Sequence, residues 1–358
     1  MSRTHDNWEK LVAAVIRKEE LWQLCHQHSR TSSLTSSFSS DLSSSFRSNL
    51  SFSNPNDGLS LPFQHLADIS IDLSQEENEP ELVFFKDSPI EFGLEELLMA
   101  SSYVLGEEID TFKRTFVVCL RKDIKVVVKK FMTQYFAPNQ LQKWIETIGS
   151  FNDENVAKSW GYGLCKGEML CFYEYFPQGS THVMLHRKPW VVLDCETRLS
   201  IAIGTAKGLA RMHETFDGKF VHGNIKASNI FLNSHGCCLG DPTPGNFKIS
   251  GYHPPEVSSG DKASQASDVY SFGVFLIELV SRRSPTQRFR NYVDWARNHY
   301  RDEWTFLVYD VEILKKLSEK KQIFEMLKIA MCCVRNIPEE RPNMNDVVDM
   351  LCRVKLLL

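Results

Sequence analysis

Between Arg198 and Asn233 the chain runs through four contrasting stretches. An apolar run with helical spacing, RLSIAIGTAKGLARMHE, is followed by a short strand, FV, at Phe220. The polar octet HGNIKASN, from His222 to Asn229, comes next, and IFLN leaves it as a second strand from Ile230. This order of helix, strand, polar loop and strand is the context of a catalytic-type loop, and it constrains the fold more than any other stretch. At the centre of the loop stands Asn224, whose side chain is an amide. An amide has no basic lone pair at neutral pH.

Length and charge narrow the class. The 358 residues, 42% hydrophobic and 24% charged, can bury a large core and fit about two structural domains plus a tail. A net charge of -4 gives no electrostatic reason to expect nucleic acid as a partner. The 10 cysteines include the adjacent pairs Cys237-Cys238 and Cys332-Cys333 but no C-x-x-C, so neither a zinc site nor a disulfide framework is indicated. Buried thiols in a reducing compartment are expected instead. The N-terminus lacks the apolar core of a signal peptide, and no uninterrupted run of about 18 apolar residues occurs. No integral membrane segment is therefore expected. Ser2 and the terminal LLL carry no myristoylation or prenylation signal.

Residues 7–28 place Trp8, Leu11, Val12, Val15, Ile16 and Trp22 at three- and four-residue steps, predicting an amphipathic helix within 1–28. It could pack on its own domain or on a partner. From Ser29 to Ser53, 13 of 25 residues are Ser, a bias that supplies no core, so 29–81 is read as a Ser-rich, disordered linker ending in the acidic QEENEPE from Gln75. Arg30, three residues before Ser33, would suit a basophilic kinase. Order is expected to return near Leu82, where LVFF reads as a strand and FGLEELLMASSYVLG, from Phe92, as a short helix entering another.

The octet HGNIKASN resembles the eukaryotic protein kinase catalytic loop, H-R-D-L-K-x-x-N, and keeps His222, Lys226 and Asn229 while replacing the base by Asn224. The LEELLMAS stretch resembles the start of the kinase module in plant leucine-rich-repeat receptor-like kinases, and the resemblance runs to the C-terminus through many motifs in order. It implies an α+β, bilobal protein kinase-like fold, with a small β-rich N-lobe and hinge at 82–176 and a larger helical C-lobe at 177–358.

The same resemblance assigns sites. Where a glycine-rich loop would cover ATP phosphates, LGEEIDTFKR keeps Gly106 and puts Glu108 and Thr111 at the other glycine positions, which crowds and repels phosphate. Lys129, in IKVVVKKF, matches the lysine that grips the α- and β-phosphates, and Lys130 points to the opposite face of the strand. Trp144 stands at the position of the helix glutamate that orients that lysine, and Glu146 lies about 200° round the helix from it. Tyr173 falls at the gatekeeper, with Glu174 to Phe176 along the adenine slot. Asp241, in CCLGDPT, and Asn229 match the positions that hold Mg, but Pro242 and Thr243 follow the Asp in place of Phe and Gly. Glu256 and Arg341 match a buried structural pair, and Asp268 matches the aspartate that holds the catalytic loop.

With the base and the helix glutamate missing, the resemblance implies a pseudokinase in receptor-kinase-type signalling. ATP and Mg would bind weakly, and Lys129 would be left to pair with Asp241. The partners implied are proteins, an active kinase or a receptor complex, met in the cytoplasm or at the inner face of the plasma membrane. A weakly active Ser/Thr kinase using Lys129, Lys226, Asn229 and Asp241 is the alternative reading, and an adaptor or decoy substrate phosphorylated in its Ser-rich tail is a second.

Overall fold

The computed structural model describes residues 81–358 apart from 105–112, 121–123, 134–137, 166–167, 188–192, 234–235, 243–250, 259–261, 286–290, 302–307, 315–319 and 357–358. The amphipathic-helix and Ser-rich expectations, and Gly106, Glu108 and Thr111 of the glycine-loop stretch, thus lie outside the described residues.

The described part opens with β1 (Glu81–Phe84), α1 (Leu94–Met99) and β2 (Ser101–Val104), the strand, helix and strand that the pattern predicts. It continues through β3 (Lys113–Cys119), β4 (Lys125–Met132), α2 (Pro138–Ser150), β5 (Ser159–Cys165) and β6 (Glu168–Glu174). A sheet joins these strands in the order β1-β5-β6-β4-β3-β2, so β4 and β6 are central. Centrality explains their composition. Val126, Val127, Val128 and Phe131 of β4 are all buried, because both faces of a central strand are covered. On one face α2 packs Leu141, Trp144, Ile145 and Ile148 over Val127, Phe131, Met169, Cys171 and Tyr173. On the other, Phe172 meets the edge of Phe92, with ring centroids 5.0 Å apart, and Phe92 meets Phe84 at 4.9 Å. A β-carbon at Gly161 of β5 would strike the Val83 carbonyl of β1, so this close crossing of strands requires glycine.

Beyond the sheet come α3 (Thr181–His186), α4 (Cys195–His213), α5 (Thr215–Gly218), and the hairpin β7 (Ile230–Asn233) and β8 (Gly236–Leu239). Further along are α6 (Pro255–Ser258), α7 (Gln265–Ser281), α8 (Tyr292–Arg301), α9 (Val311–Leu314), α10 (Lys320–Cys333) and α11 (Met344–Lys355). Helix α4 starts at an Asp194 cap, whose Oδ1 accepts the Thr197 N–H at 2.9 Å. Helix α7 starts in a reciprocal capping box, with Ser264 and Ser267 each accepting the other's backbone N–H. From Ser267 to Ser281 every residue of α7 is buried, as a helix apolar all round must be, and it forms the axis of the helical core. A β-carbon at Gly208 of α4 would strike the Asn155 carbonyl, which lets the 151–157 segment lie against that helix. That segment is also pinned to β8 by Ala157 N–H to Leu239 O (2.7 Å) and Leu239 N–H to Asn155 O (2.8 Å), which ties the sheet region to the hairpin beside the catalytic-type loop.

Candidate functional site

Asp268, in the first turn of α7 and 1% exposed, fixes the start of the loop. Its Oδ2 accepts the His222 N–H at 2.7 Å and its Oδ1 the Gly223 N–H at 2.8 Å, with His213 Nε2 3.0 Å from Oδ2. Gly223 turns through φ +68°, in the left-handed region that glycine enters without a β-carbon penalty. His222 is fully buried. Its Nε2 donates to the Gly240 carbonyl at 3.1 Å, and its Nδ1 accepts the Asn224 N–H at 3.1 Å, which defines a neutral imidazole with its proton on Nε2.

At the base position, Asn224 acts as a donor. Its Nδ2 donates to the Asp241 carbonyl at 3.0 Å, and Asn229 Nδ2 donates to that same carbonyl at 2.9 Å and to the Asn224 carbonyl at 3.1 Å. Two amides thus hold the backbone of Asp241, an arrangement that sequence reasoning missed. A donor NH2 at this point is what an aspartate could not supply at neutral pH. Lys226 is half-buried and precedes the short turn of Ala227–Asn229, where the Asn229 N–H reaches the Lys226 carbonyl at 2.9 Å.

Lys129 and Asp241 form a buried ion pair, their side chains 9% and 0% exposed. The Lys129 ammonium also lies 4.7 Å from the centroid of the Tyr173 ring. Burial holds the Tyr173 hydroxyl well above the usual phenol range. Lys130, one residue on and on the opposite face, pairs with Glu168 at 2.6 Å. Trp144 is packed edge-on against Phe131 at 5.5 Å and is 7% exposed, while Glu146 is exposed. The helix position that would carry a carboxylate for Lys129 therefore carries an indole in the core. Phe176 follows Glu174 past the end of β6 and stacks on Phe231 of β7 at 5.0 Å with an interplanar angle of 11°.

The scaffold residues meet their partners. Arg341 grips Glu256 with two parallel hydrogen bonds (2.6 and 2.9 Å), donates to the Ala266 and Arg335 carbonyls and covers the Tyr270 ring at 5.0 Å. Two further buried sets went unread in the sequence. Arg198, fully buried in α4, donates to the Leu193 (2.8 Å) and Leu279 (2.6 Å) carbonyls and pairs with Asp310. Tyr252 is buried, donates to Glu278 and accepts the Ala227 N–H at 3.3 Å. It is part of the core, closed to a modifying enzyme. A charged residue set on the apolar stripe of a helix, Arg198 with Ala202, Leu209 and Met212 in α4 or Glu278 within GVFLIELV of α7, was the signal available for both.

The sheet lobe, the helical lobe and a loop held by Asp268 define a protein kinase fold with the base replaced. The model of the protein tyrosine and serine/threonine kinase family matches residues 113–351, and the chain belongs to that family. Among curated relatives, an Arabidopsis thaliana protein named as a probable inactive receptor kinase is 40% identical over 288 residues, 75% of this chain and 45% of the relative. A second from the same plant, a receptor-like protein kinase whose inactivity is given as probable, is 35% identical over 317 residues, 76% of this chain and 87% of the relative. The chain spans about half the length of most of the relatives it matches. The solved pseudokinase domain of BIR2, described as an immune regulator of the RLK/Pelle family, shares the fold at a TM-score of 0.66 with 23% identity, covering 77% of this chain and 90% of that one. This chain is a kinase-like module similar to plant proteins named as probable inactive receptor kinases, and it carries an amide, Asn224, in the loop that Asp268 holds.

Proposed function

We propose that the chain works as a pseudokinase, an interaction or allosteric module in receptor-kinase-type signalling whose output is contact with another protein. The observation that carries this reading is Asn224: its NH2 is engaged on the Asp241 carbonyl, so the group facing a substrate hydroxyl is neither basic nor free to move without releasing Asp241. An active kinase or a receptor complex is the partner class that the family suggests, reached in the cytoplasm or at the inner face of the plasma membrane.

Weak nucleotide binding belongs to the same proposal. Asp241 and Asn229 offer the hard oxygen ligands that Mg favours, and Lys129 a charge for phosphate, so the donor set fits Mg-ATP in kind. The Asp241 carboxylate is already engaged by Lys129, however, and an incoming ion must separate that pair. Phosphate transfer from labelled ATP to a generic substrate tests the reading, with Asp241→Ala as the background. Wild-type transfer at the Asp241→Ala level supports it. Robust transfer that Asp241→Ala abolishes favours the weakly active Ser/Thr kinase instead.

A further inference from the structure

On the far side of the catalytic-type loop, α3 and α7 bring two imidazoles onto one carboxylate. His182 and His186 are four residues apart on α3 and so share a face. His186 Nε2 lies 2.8 Å and His182 Nδ1 3.9 Å from the same oxygen, Glu278 Oε1, and all three donor atoms fall within 4.8 Å of one another. Among the described residues this is the one group of three His, Cys, Asp or Glu side chains with ligand atoms so close. The other oxygen, Oε2, accepts from the Tyr252 hydroxyl, which fixes the carboxylate plane. Arg282, one turn further along, places its guanidinium on the Leu185 carbonyl (2.8 Å) and 3.7 Å from Asp310.

The chemistry asks for a cation here. Glu278 is 0% exposed, and a carboxylate taken wholly out of water is stabilised by opposite charge, which a divalent ion held between it and the two imidazoles would supply. Two imidazole nitrogens and one carboxylate oxygen are a recurrent ligand set for zinc, with water in the fourth place. Tetrahedral ligands of that type stand about 3.4 Å apart. Reaching that spacing opens the His186 contact and closes the His182 contact by about half an ångström each, and draws together the two imidazole nitrogens, which lie within 4.8 Å of one another. The His182 side chain is 42% exposed, which leaves both a path of entry and room for the fourth ligand, and Tyr252 is placed to orient the carboxylate as outer hydrogen-bond partners of metal ligands do.

We propose that His182, His186 and Glu278 bind a single zinc-class divalent ion that clamps α3, which follows the hinge, to α7, which carries Asp268. Through Tyr252 and its hydrogen bond to the Ala227 N–H, the clamp also braces the catalytic-type loop. It needs no phosphate chemistry and rests on residues outside the nucleotide-type pocket.

The test uses the full chain stripped of metal by a chelator, then titrated with Zn2+ by calorimetry and with Co2+ by visible absorption. The expected result is one saturable equivalent at micromolar metal, cobalt bands of a tetrahedral nitrogen and oxygen site without a thiolate charge-transfer band, and a rise in melting temperature on adding Zn2+. Glu278→Gln disturbs a wholly buried charge and endangers the fold, so His182→Ala, at the exposed edge, carries the comparison. That variant should melt like the wild type without metal, bind at least about tenfold more weakly, the scale seen on losing even an outer partner of a ligand, and lose the Zn2+-induced rise. Absence of saturable binding in the wild type overturns the proposal. So does binding that His182→Ala leaves undiminished, or a thiolate band, which would place the ion among the cysteines.

Discussion

Asn224 and an aspartate have the same shape, and the difference is chemical: one donates to the Asp241 carbonyl where the other could only accept. Loss of the base alone costs roughly 10²- to 10⁴-fold in rate. Asn224→Asp is nevertheless expected to leave phosphate transfer at background, because Trp144 still stands where Lys129 would find its carboxylate and Lys129 still holds Asp241. Recovery of transfer in that single variant would show that the base was the one missing part. The ion pair is open to a double-mutant cycle with Lys129→Met and Asp241→Asn. Each single variant leaves a buried charge without its partner and should destabilise more than the double variant does, with a coupling of about 0.5–3 kcal/mol by denaturant unfolding. Additive effects would mean that the two groups do not meet in solution. A simpler residue-scale outcome concerns Cys237, whose thiol burial pushes up to about 12: it should resist alkylation at pH 8 in the folded chain and react on unfolding.

Elements built by sequence-local rules were legible before any coordinates. Alternation in IKVVVKKF gave β4 and the opposite facing of Lys129 and Lys130, and the apolar run before the loop gave α4, although its start three residues earlier, at Cys195, depended on the Asp194 cap. Other contacts had no local signature. The Asn224 and Asn229 amides meet the Asp241 carbonyl across 12 or more residues of chain, and Arg198 finds Asp310 across 112. Nothing in the neighbourhood of Glu278 along α7 announces the two histidines of α3, which lie 92 and 96 residues earlier in sequence. Motif order supplied the Glu256–Arg341 pair where local pattern could not. That pair ties α6 to the segment before α11, and Arg341→Ala leaves Glu256 and several carbonyls without their donor. A loss of about 3–5 kcal/mol in unfolding free energy is expected. A loss below about 1 kcal/mol would place the arginine in solvent.

At the scale of the whole chain, the residues that hold the fold meet their partners, whereas several positions around the loop depart from the kinase pattern that Lys129, Asn229 and Asp241 keep. Asp268, Glu256, Arg341 and the α7 core belong to the first set, and Asn224, Trp144 and Pro242 to the second. The proposed role places the output of such a protein at its surface. The Ser-rich stretch from Ser29 to Ser53 is then expected to carry the phosphorylation sites, placed by another kinase, and a phosphopeptide map with its sites elsewhere would count against that. In the proposed reading the Lys129–Asp241 pair closes the nucleotide pocket on itself. Calorimetric titration of Mg-ATP into the full chain, backed by its melting curve, tests it most directly. With a dissociation constant of about 1 mM, roughly 5 mM Mg-ATP adds RT ln 6, about 1 kcal/mol, and raises the melting temperature by about 2–4 °C. Micromolar affinity with a much larger rise would contradict the account and show a pocket open to nucleotide.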